Sequence, residues 1–460
     1  MRTVATYGVF DLFHEGHINL LRRARALGDR LIVGVTTNHF DEIRGKLNTT
    51  DSFEVRRQAV INSGFADEVI AETYPGQKQD DIRNRGIDVM VFGSDWTGHF
   101  DYLRSLCEVV YLPRTEGISS TALRNARHPE VRLGIVGTGR IARRFVAEAA
   151  GIAGKQIVGV YNPHEGHAAQ FVRELGIGAA PESTNGEPPF LAADDLDELL
   201  DAVDAVYIAS PHQFHYEQAK TALLAGKHVL CEKPMVFSRT QAEELFSLAH
   251  ERNLVLLEAI KTAYCPGFDE LVSVARSGAI GEIRDIEAAF TRLTPRGVRE
   301  REDAVFGGSF FELGSYNLLP AVRLLGADRV MGMDANFHTL RDEKGVDLFT
   351  KVFLSGNGAS ASAKTGLGVK AEGQLVVSGT EGYILAPAPW WLTSYFEVHH
   401  EDPDDIQTYE VPFLGQGLRY EISNFVHLAL HDEDRYPKLS PEESIAIASV
   451  FERYIAKRDA

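Results

Sequence analysis

Along the first quarter of the chain, short apolar runs alternate with segments whose apolar residues recur every three or four positions. The alternation predicts helices at residues 17–27 and 53–63. The apolar runs predict buried strands at residues 4–9, 31–36, 68–70, 89–93 and 109–112. Strands that alternate with helices favour a parallel sheet covered by helices on both faces.

The alternation stops at His128-Pro129-Glu130 and begins again at Val131. Residues 188–200 are acidic and predict an exposed loop followed by a short helix. Further strands are predicted at residues 132–136, 156–161, 205–209, 228–232 and 255–259, with helical segments between them. The same reasoning therefore predicts a second parallel sheet.

Beyond about Lys261 the pattern changes to short strands with little helix between them. This spacing favours an open, mostly antiparallel sheet. The strands are predicted at residues 283–291, 329–337, 346–354, 358–364, 373–378 and 382–385, and the helices at 266–276, 310–325 and 441–457. We therefore predict three domains, at residues 1–129, 130–260 and 261–460.

Composition limits the classes of function. The chain has 460 residues, of which 44% are hydrophobic, so several folded domains are expected. The formal net charge of −18 argues against nucleic-acid and membrane partners. Three widely spaced cysteines form no disulfide framework and no CxxC metal cluster, which fits a reducing compartment. With no signal peptide or membrane-spanning run in the sequence, we expect a cytoplasmic protein.

The first chemical motif is His14-Glu15-Gly16-His17, where a strand is expected to lead into a helix. The start of a helix favours phosphate, and Gly16 lets the backbone approach it closely. His14 and His17 can donate hydrogen bonds to a reacting α-phosphate as charge builds in the transition state. The alternative is that the string arises by chance at a helix cap.

Several stretches resemble one family. Residues 7–17 (Tyr-Gly-Val-Phe-Asp-Leu-Phe-His-Glu-Gly-His) resemble the signature of the HxGH nucleotidyltransferases. Residues 114–121 (Arg-Thr-Glu-Gly-Ile-Ser-Ser-Thr) resemble the second signature, in the form found in glycerol-3-phosphate cytidylyltransferases. Residues 77–78 and 93–96 are similar too, so the resemblance covers residues 1–127. Val9 and Glu15 depart slightly from the pattern without removing a reacting group.

The resemblance implies roles for named residues. His14 and His17 would stabilise the α-phosphate of CTP, with Lys46 and Arg114 neutralising the triphosphate and Lys78 reaching the phosphate of the second substrate. Mg²⁺ would accompany CTP. The implied nucleotide-binding residues are Gly8, Phe10, Asp11, Gly16, Asp95, Trp96, Ser119 and Thr121. For Asp11 and Arg56 the sequence leaves open whether they touch the ligand or support the fold.

A second glycine-rich turn, Gly137-x-Gly139-x-x-Ala142, follows the strand predicted at 132–136. This is the dinucleotide fingerprint with alanine in place of its third glycine. Together with Ala209-Ser210-Pro211, His212-x-x-His215 and residues 226–234, it resembles the Gfo/Idh/MocA oxidoreductases over residues 131–460. The resemblance implies NAD or NADP as cofactor, bound through Gly137, Gly139, Arg140, Ile141, Asn162, Ser210, His212, His215 and Glu232.

In that family pattern, Lys233 would contact nicotinamide and substrate, and Tyr316 would occupy the position of the catalytic tyrosine or histidine. We expect the charge of Lys233 to lower the pKa of the Tyr316 phenol, making it a general acid. Glu312 stands where aspartate is more usual and is expected to contact substrate. The alternative for Tyr316 is a core aromatic residue on an amphipathic helix.

The residues also bear on a metal ion and on the identity of the dinucleotide. His212 and His215 have a spacing that a metal could use, but no third ligand is evident, so no metal site is predicted. Asn162 ends its strand where an acid would favour NAD and an arginine would favour NADP. The cofactor choice therefore stays open.

The sequence thus predicts an α/β protein: a Rossmann-like nucleotidyltransferase domain, a dinucleotide-binding Rossmann domain and a C-terminal α+β open-sheet domain. The expected function is cytidylyl transfer to a polyol or sugar phosphate together with nicotinamide-dependent redox chemistry. The rivals are a transferase whose second half is a binding or assembly module, an adenylyltransferase, and a nucleotide-sensing regulator. We expect a homodimer or homotetramer, since an open sheet leaves a broad face.

Overall fold

The computed structural model describes residues 2–43, 49, 51–74, 76–98, 100–113, 130–152, 154–177, 190–430 and 437–458. The chain divides into two compact units, Met1–Glu130 and Val131–Ala460. The further division predicted at residue 260 stays a prediction. Among the described helices, none combines the length and the apolar character needed to cross a bilayer.

The first unit is a parallel sheet with helices around it. Its strands are β1 (Thr3–Gly8), β2 (Arg30–Thr36), β3 (Glu68–Glu72), β4 (Val89–Gly93) and β5 (Glu108–Leu112). Its helices are α1 (Glu15–Arg25), α2 (Asn38–Ile43), α3 (Phe53–Asn62) and α4 (Gln77–Arg85). The sheet order is β3-β2-β1-β4-β5, and every pairing is parallel.

Alternating side chains of the strands fill a separate apolar layer on each face of this sheet. Val4 and Val33 belong to one layer, whereas Ala5, Ile32 and Met90 belong to the other. The chain leaves β1 for β2 on one side and reaches β4 on the other, so the strand order reverses beside β1. In open α/β sheets, ligands bind in the crevice at the carboxyl ends of the strands at such a point.

Arg56 fastens the segments around that crevice. Its side chain is fully buried. Nε donates to the Asp51 carbonyl at 3.0 Å, and Nη1 donates to the carbonyls of Val9 and Thr36 at 2.7 and 2.8 Å. Nη2 donates to Asn38 Oδ1 at 2.5 Å. These partners follow β1, end β2 and precede α3, so Arg56 has a structural role here.

Removing this guanidinium is expected to destabilise the first unit. Arg56→Met would leave several buried carbonyls without a donor and Asp41, 3.5 Å from Nη2, without its cation. The expected loss in free energy of unfolding is about 3–5 kcal/mol. Hydrogen-exchange mass spectrometry over β1–β5 measures it. The matched control is Arg57→Met, since Arg57 is solvent-exposed, and a control loss as large as that of Arg56→Met would refute the argument.

The second unit begins with six parallel strands. They are β6 (Val131–Val136), β7 (Lys155–Tyr161), β8 (Leu191–Ala193), β9 (Ala205–Ile208), β10 (His228–Glu232) and β11 (Leu256–Ala259). The helices are α5 (Arg140–Ala149), α6 (His167–Leu175), α7 (Leu196–Ala202), α8 (His215–Leu224) and α9 (Arg239–Glu251). The sheet order is β11-β10-β9-β6-β7-β8, which makes β6 the strand where the order reverses.

The rest of the second unit is a mixed sheet with helices on one face. The helices are α10 (Pro266–Arg276), α11 (Arg299–Glu302), α12 (Ser309–Leu325), α13 (Ala327–Met331), α14 (Leu418–Leu430) and α15 (Pro441–Arg458). The strands are β12 (Ile283–Thr291), β13 (Asp334–Arg341), β14 (Asp347–Gly356), β15 (Ala359–Gly366), β16 (Leu375–Gly379), β17 (Tyr383–Ala386), β18 (Tyr395–His399) and β19 (Ile406–Glu410). The order is β13-β14-β15-β12-β16-β17-β18-β19, with β12–β15 parallel and the other pairs antiparallel. Helix α12 is buried on nearly all sides.

The predicted α/β class and the mostly antiparallel sheet are confirmed, with differences in single elements. The strand predicted at 329–337 is wrong in its first part, where Val330 is buried inside the helical turn α13. Apolar residues three apart, Val330 and Met333, face the same core from that turn. The sequence analysis did not predict β18 and β19. Strand β19 lies at the sheet edge with mostly exposed side chains, so it shows no alternation of apolar and polar residues.

Candidate active sites

In the first unit, the segment after β1 turns sharply into α1. A Cβ atom on Gly8 would lie 3.1 Å from the Phe10 ring. Phe10 and Leu12 have φ angles of 56° and 47°, a left-handed conformation that costs non-glycine residues about 1–3 kcal/mol each. Burial of both side chains and a hydrogen bond from the Leu12 amide to Asp51 Oδ2 (3.2 Å) hold this loop.

His14 and His17 cap the start of α1 reciprocally. The Gly16 amide donates to His14 Nδ1 at 3.0 Å, and the His14 amide donates to His17 Nδ1 at 3.4 Å. Because both Nδ1 atoms accept, the neutral form of each ring carries its proton on Nε2. The two rings stack with centroids 4.0 Å apart, and His17 also packs edge-on against Phe10 at 5.3 Å. The geometry therefore gives two neighbouring, fixed Nε2–H donors.

The predicted role of Asp11 becomes clearer in this loop. Asp11 is buried, and its Oδ1 accepts a hydrogen bond from the Asp51 amide at 2.9 Å. It also lies close enough to Arg56 to favour the charged guanidinium, although burial is the larger influence and lowers the pKa of Arg56. Asp11 thus joins the loop to the residues that precede α3, which is a supporting role.

Residues predicted for the two substrates lie at the same edge of the sheet. The Lys78 ammonium forms an ion pair with Glu72, at the end of β3, and lies 4.8 Å from the Tyr7 ring centroid. Asp95 and Trp96 form the short 3₁₀ turn after β4, and the Trp96 side chain is exposed. Lys46, Arg114, Ser119 and Thr121 lie outside the described residues. The carbonyl of Pro113, the residue before Arg114, accepts a hydrogen bond from Arg23 of α1 at 2.9 Å.

In the second unit, the turn after β6 has the shape that a dinucleotide requires. Gly137 has a φ of 105°, and a Cβ atom there would lie 2.8 Å from the Ala209 carbonyl oxygen. Gly139 caps α5, and no atom of the described residues lies within 4 Å of the point where its Cβ would be. The backbone at the start of α5 is therefore open to a pyrophosphate group, so these residues fit the predicted cofactor.

Other predicted cofactor residues surround this turn. Asn162, after β7, donates from Nδ2 to the Thr138 hydroxyl at 2.7 Å. Ser210, after β9, donates from Oγ to Gln218 at 2.5 Å. Arg140 is largely exposed and lies 3.3 Å from Glu300, while Ile141 is partly buried against the core. Asn162 and Thr138 thus bring the ends of β6 and β7 together beside the open face of the turn.

The predicted catalytic lysine lies among charged partners. Lys233 Nζ donates to the Glu312 carbonyl at 3.0 Å and lies 4.0 Å from Glu312 Oε2. Glu312 Oε1 accepts from Arg299 Nη2 at 3.0 Å and lies 3.7 Å from His212 Nε2. Burial, with the nearby cations Lys233 and Arg299, lowers the pKa of His212, so this imidazole is neutral. We call Lys233, Glu312, His212 and Arg299 the charged cluster.

Tyr316 lies beside the charged cluster, with its ring centroid 5.6 Å from Lys233 Nζ. The predicted direction of its pKa shift is wrong. Burial raises the pKa of the Tyr316 phenol, and the nearby carboxyl groups of Glu232 and Glu421 raise it further. The phenol is consequently held in its protonated form, which still suits a proton donor.

His215 and Glu232 are buried and form hydrogen bonds with neighbouring protein groups. The two ring nitrogens of His215 lie 2.9 Å from the carbonyl oxygens of Pro234 and Ser210. Burial lowers the pKa of His215 to about 4, so the neutral ring donates to one carbonyl at a time. Glu232 accepts from the Tyr207 hydroxyl at 2.6 Å and from the Lys233 amide at 3.2 Å. Both residues position the segments beside Lys233. Among the described residues, no cluster has the ligands for a metal ion.

Two further side chains lie here that the sequence pattern did not indicate. Arg299 belongs to the charged cluster. It was not predicted because its segment is a run of charged residues, which is typical of a solvent-exposed surface. Glu421 on α14 is fully buried, and neither carboxyl oxygen has a hydrogen-bond partner among the described residues. Burial, followed by the field of Glu232, raises the pKa of Glu421. A carboxylate on the apolar face of a helix, next to Ile422 and four residues before Phe425, was the available signal.

Glu421 is expected to make the second unit less stable as the pH rises. Its pKa is raised on folding, so the stability it allows is complete below the unfolded value of 4.5 and is lost as the pH rises above it. Glu421→Gln should flatten the dependence of unfolding free energy on pH by up to about 1 kcal/mol per pH unit. Chemical denaturation between pH 5 and pH 9 measures it.

Glu258→Gln is the matched comparison for that series. Burial raises the pKa of Glu258 to about 7, and its Oε1 accepts from the Met235 amide at 3.1 Å, a bond that glutamine can keep. Its flattening should end near pH 7. A Glu421→Gln profile parallel to that of the unmodified chain would contradict the assignment.

The geometry defines two sites of different class: a nucleotidyltransferase site at the His14–His17 turn and a nicotinamide-dinucleotide site at the Gly137 turn. Comparisons with known proteins agree. The "Cytidylyltransferase-like" family matches residues 5–126. The "Oxidoreductase family, NAD-binding Rossmann fold" matches residues 131–259, and the "GFO/IDH/MocA C-terminal domain" matches residues 268–385.

The match extends over nearly the whole length of individual relatives. A glycerol-3-phosphate cytidylyltransferase of Staphylococcus aureus is 48% identical over 124 residues, which is 27% of this chain and 93% of that protein. A scyllo-inositol 2-dehydrogenase (NADP(+)) of Bacillus subtilis is 30% identical over 332 residues, 70% of this chain and 95% of that protein. The crystal structure of a 3-ketoreductase from Actinomadura kijaniata, in complex with NADP and TDP-benzene, is 27% identical with a TM-score of 0.58, covering 70% of this chain and 96% of that one.

The chain therefore belongs to the cytidylyltransferase-like family over its first unit and to the Gfo/Idh/MocA oxidoreductase family over its second. It is a cytidylyltransferase and an NAD(P)-dependent oxidoreductase in one polypeptide.

Proposed function

We propose that the first unit transfers CMP from Mg²⁺-bound CTP to a polyol or sugar phosphate resembling glycerol 3-phosphate. A phosphate oxygen of the acceptor attacks the α-phosphorus of CTP, the bond to the β-phosphate breaks, and pyrophosphate leaves. The Nε2–H groups of His14 and His17 donate to the α-phosphate oxygens as negative charge builds on them. The stacked, reciprocally capped pair of histidines is the observation that carries this proposal.

The second unit, in this proposal, oxidises or reduces a related sugar or polyol, phosphorylated or not. A nicotinamide bound at the Gly137 turn supplies or accepts the hydride. Lys233 orients the reacting oxygen, and the protonated Tyr316 phenol gives a proton to that oxygen during reduction. The products fit the synthesis of precursors for a cell-surface polymer of the teichoic-acid type.

One experiment tests both halves together. The full chain is incubated with CTP, Mg²⁺, NADH or NADPH, and a panel of sugar phosphates, and the products are identified by mass spectrometry. A CDP-linked product that forms only with reduced cofactor identifies substrate, order and cofactor together. A CDP-linked product with no redox turnover on any substrate would favour the rival, in which the second half is a binding or assembly module.

A pyrophosphate-release assay decides the nucleotide. We expect CTP to be used in preference to ATP, since the glycerol-3-phosphate cytidylyltransferase relatives share nearly the whole first unit. Release with ATP alone would make the first unit an adenylyltransferase.

We also propose a homodimer or homotetramer formed through the open face of the mixed sheet. Large apolar side chains are exposed on its strands, at Leu340, Phe353 and Tyr383. Sedimentation at several protein concentrations tests this, and a monomer throughout would reject it.

A further inference from the structure

Arg299 lies in a short segment whose backbone folds back on itself. The segment ends at Gly307 and Gly308, where the Gly308 amide donates to the Glu300 carbonyl at 2.9 Å. A Cβ atom on Gly307 would lie 2.5 Å from the Asp303 carbonyl oxygen, so the chain folds back tightly here. Arg301 anchors the segment further, because its Nη1 donates to the Thr294 carbonyl at 3.1 Å. Arg299 is thereby fixed by the backbone on both sides of it.

The segment also reaches the dinucleotide turn. Glu300, the next residue, lies 3.3 Å from Arg140, the first residue of α5. Arg299 itself binds Glu312 Oε1, and the carboxylate of Glu312 lies 4.0 Å from Lys233 Nζ. The guanidinium therefore lies beside the same carboxylate as the catalytic lysine, next to the position expected for substrate.

The four side chains of the charged cluster together carry one excess positive charge, and the Glu232 carboxyl lies next to Lys233 outside the cluster. Lys233 and Arg299 bring two positive charges, Glu312 brings one negative charge, and the buried His212 is neutral. Arg299 Nη1 is buried without a hydrogen-bond partner among the described residues. A buried donor without a partner is unfavourable, and a bound acceptor group would satisfy it. About a third of the Arg299 side chain is exposed (35%), so a ligand can reach it.

We propose that Arg299 binds the phosphate group of the substrate of the oxidoreductase site. The substrate of the second unit is then a phosphorylated polyol or sugar, the same chemical class that the cytidylyltransferase site accepts. A guanidinium suits this task because its planar N–H groups match the oxygens of a phosphate. This inference rests on the proposed redox function of the second unit and narrows its substrate class.

The test compares phosphorylated and unphosphorylated ketoses of three and five carbons as substrates for reduction. For the unmodified chain, kcat/KM should be higher for the phosphorylated member of each pair. Arg299→Met should lower that preference about 10- to 100-fold, mainly through KM, so that the phosphorylated ketose loses far more than its unphosphorylated counterpart. Arg296→Met is the matched control, because Arg296 lies on the same segment with a side chain 76% exposed. The control should keep the preference.

Glu312→Gln distinguishes two roles of Arg299: binding a phosphate group, and only holding Glu312 in place. If Arg299 binds phosphate, removing the nearby negative charge should raise the kcat/KM preference for the phosphorylated over the unphosphorylated ketose, opposite to the effect of Arg299→Met. If Arg299 only holds Glu312 in place, the two variants should change that preference in the same direction, and the proposal is overturned. An unchanged preference in Arg299→Met also overturns it.

A binding measurement keeps this proposal distinct from the redox proposal. Calorimetric titration of the full chain with glycerol 3-phosphate and with a pentitol phosphate should show one more bound equivalent for the unmodified chain than for Arg299→Met. Identical isotherms would reject the Arg299 site even if redox turnover is found. If Arg299→Met loses the bound equivalent but no redox turnover is found for the unmodified chain, the redox function is rejected and the Arg299 site is retained.

Discussion

Replacing His14 with asparagine is expected to lower the rate of cytidylyl transfer by about 10²- to 10³-fold. The Gly16 amide donates a hydrogen bond to His14 Nδ1 at 3.0 Å, and the side-chain oxygen of asparagine can accept the same bond. The cap of α1 is therefore kept. The variant loses the Nε2–H donor that, in the proposed mechanism, stabilises the α-phosphate. The effect is thus on the transition state and not on the start of the helix.

His14→Ala provides the comparison for this prediction. It removes the donor and the cap together, so it should lose the same activity and about 1 kcal/mol of stability as well. Pyrophosphate release from CTP measures the transfer, and turnover of the oxidoreductase site in the same preparation should be unchanged. A His14→Asn variant with nearly full transfer activity would show that His14 takes no part in catalysis.

Replacing Lys233 with methionine is expected to lower redox turnover by about 10²- to 10⁴-fold. Methionine keeps much of the length of the side chain but removes the ammonium, which donates to the Glu312 carbonyl at 3.0 Å and lies 5.6 Å from the Tyr316 ring centroid. Without it, the reacting oxygen would lose the group that, in the proposed mechanism, orients it beside the Tyr316 phenol. The loss should fall mainly on kcat.

Lys220→Met is the matched control, since Lys220 lies on α8 and pairs with Glu244 at 2.6 Å on a partly exposed surface. It should keep redox turnover, and both variants should keep the release of pyrophosphate from CTP. Single-turnover oxidation of NADH or NADPH measures the chemical step. If Lys233→Met raises KM alone and leaves kcat unchanged, Lys233 binds substrate without taking part in the reaction.

Much of the fold could be predicted from the sequence because local pattern carries it. Apolar runs of strand length, separated by helical spacing, predicted both parallel sheets, and the His14–His17 and Gly137–Gly139 spacings lie within single turns. Where an element lacks that local pattern, as in the exposed edge strand β19, the sequence did not predict the element. Where spacing fits two structures, as around Val330, it predicted the wrong one.

The sequence by itself determined the two classes of chemistry, because the glycines and histidines that carry them are neighbours along the chain. Only the tertiary structure decided which side chains from separate elements come together. Arg299 binds Glu312, the carboxyl of Glu421 acts on the Tyr316 phenol, and Arg56 binds three separate segments. Those meetings also reversed the expected pKa shift of Tyr316. The physical reason is that burial and the field of a neighbouring charge depend on which atoms the folded chain brings together, and neither follows from spacing along the sequence.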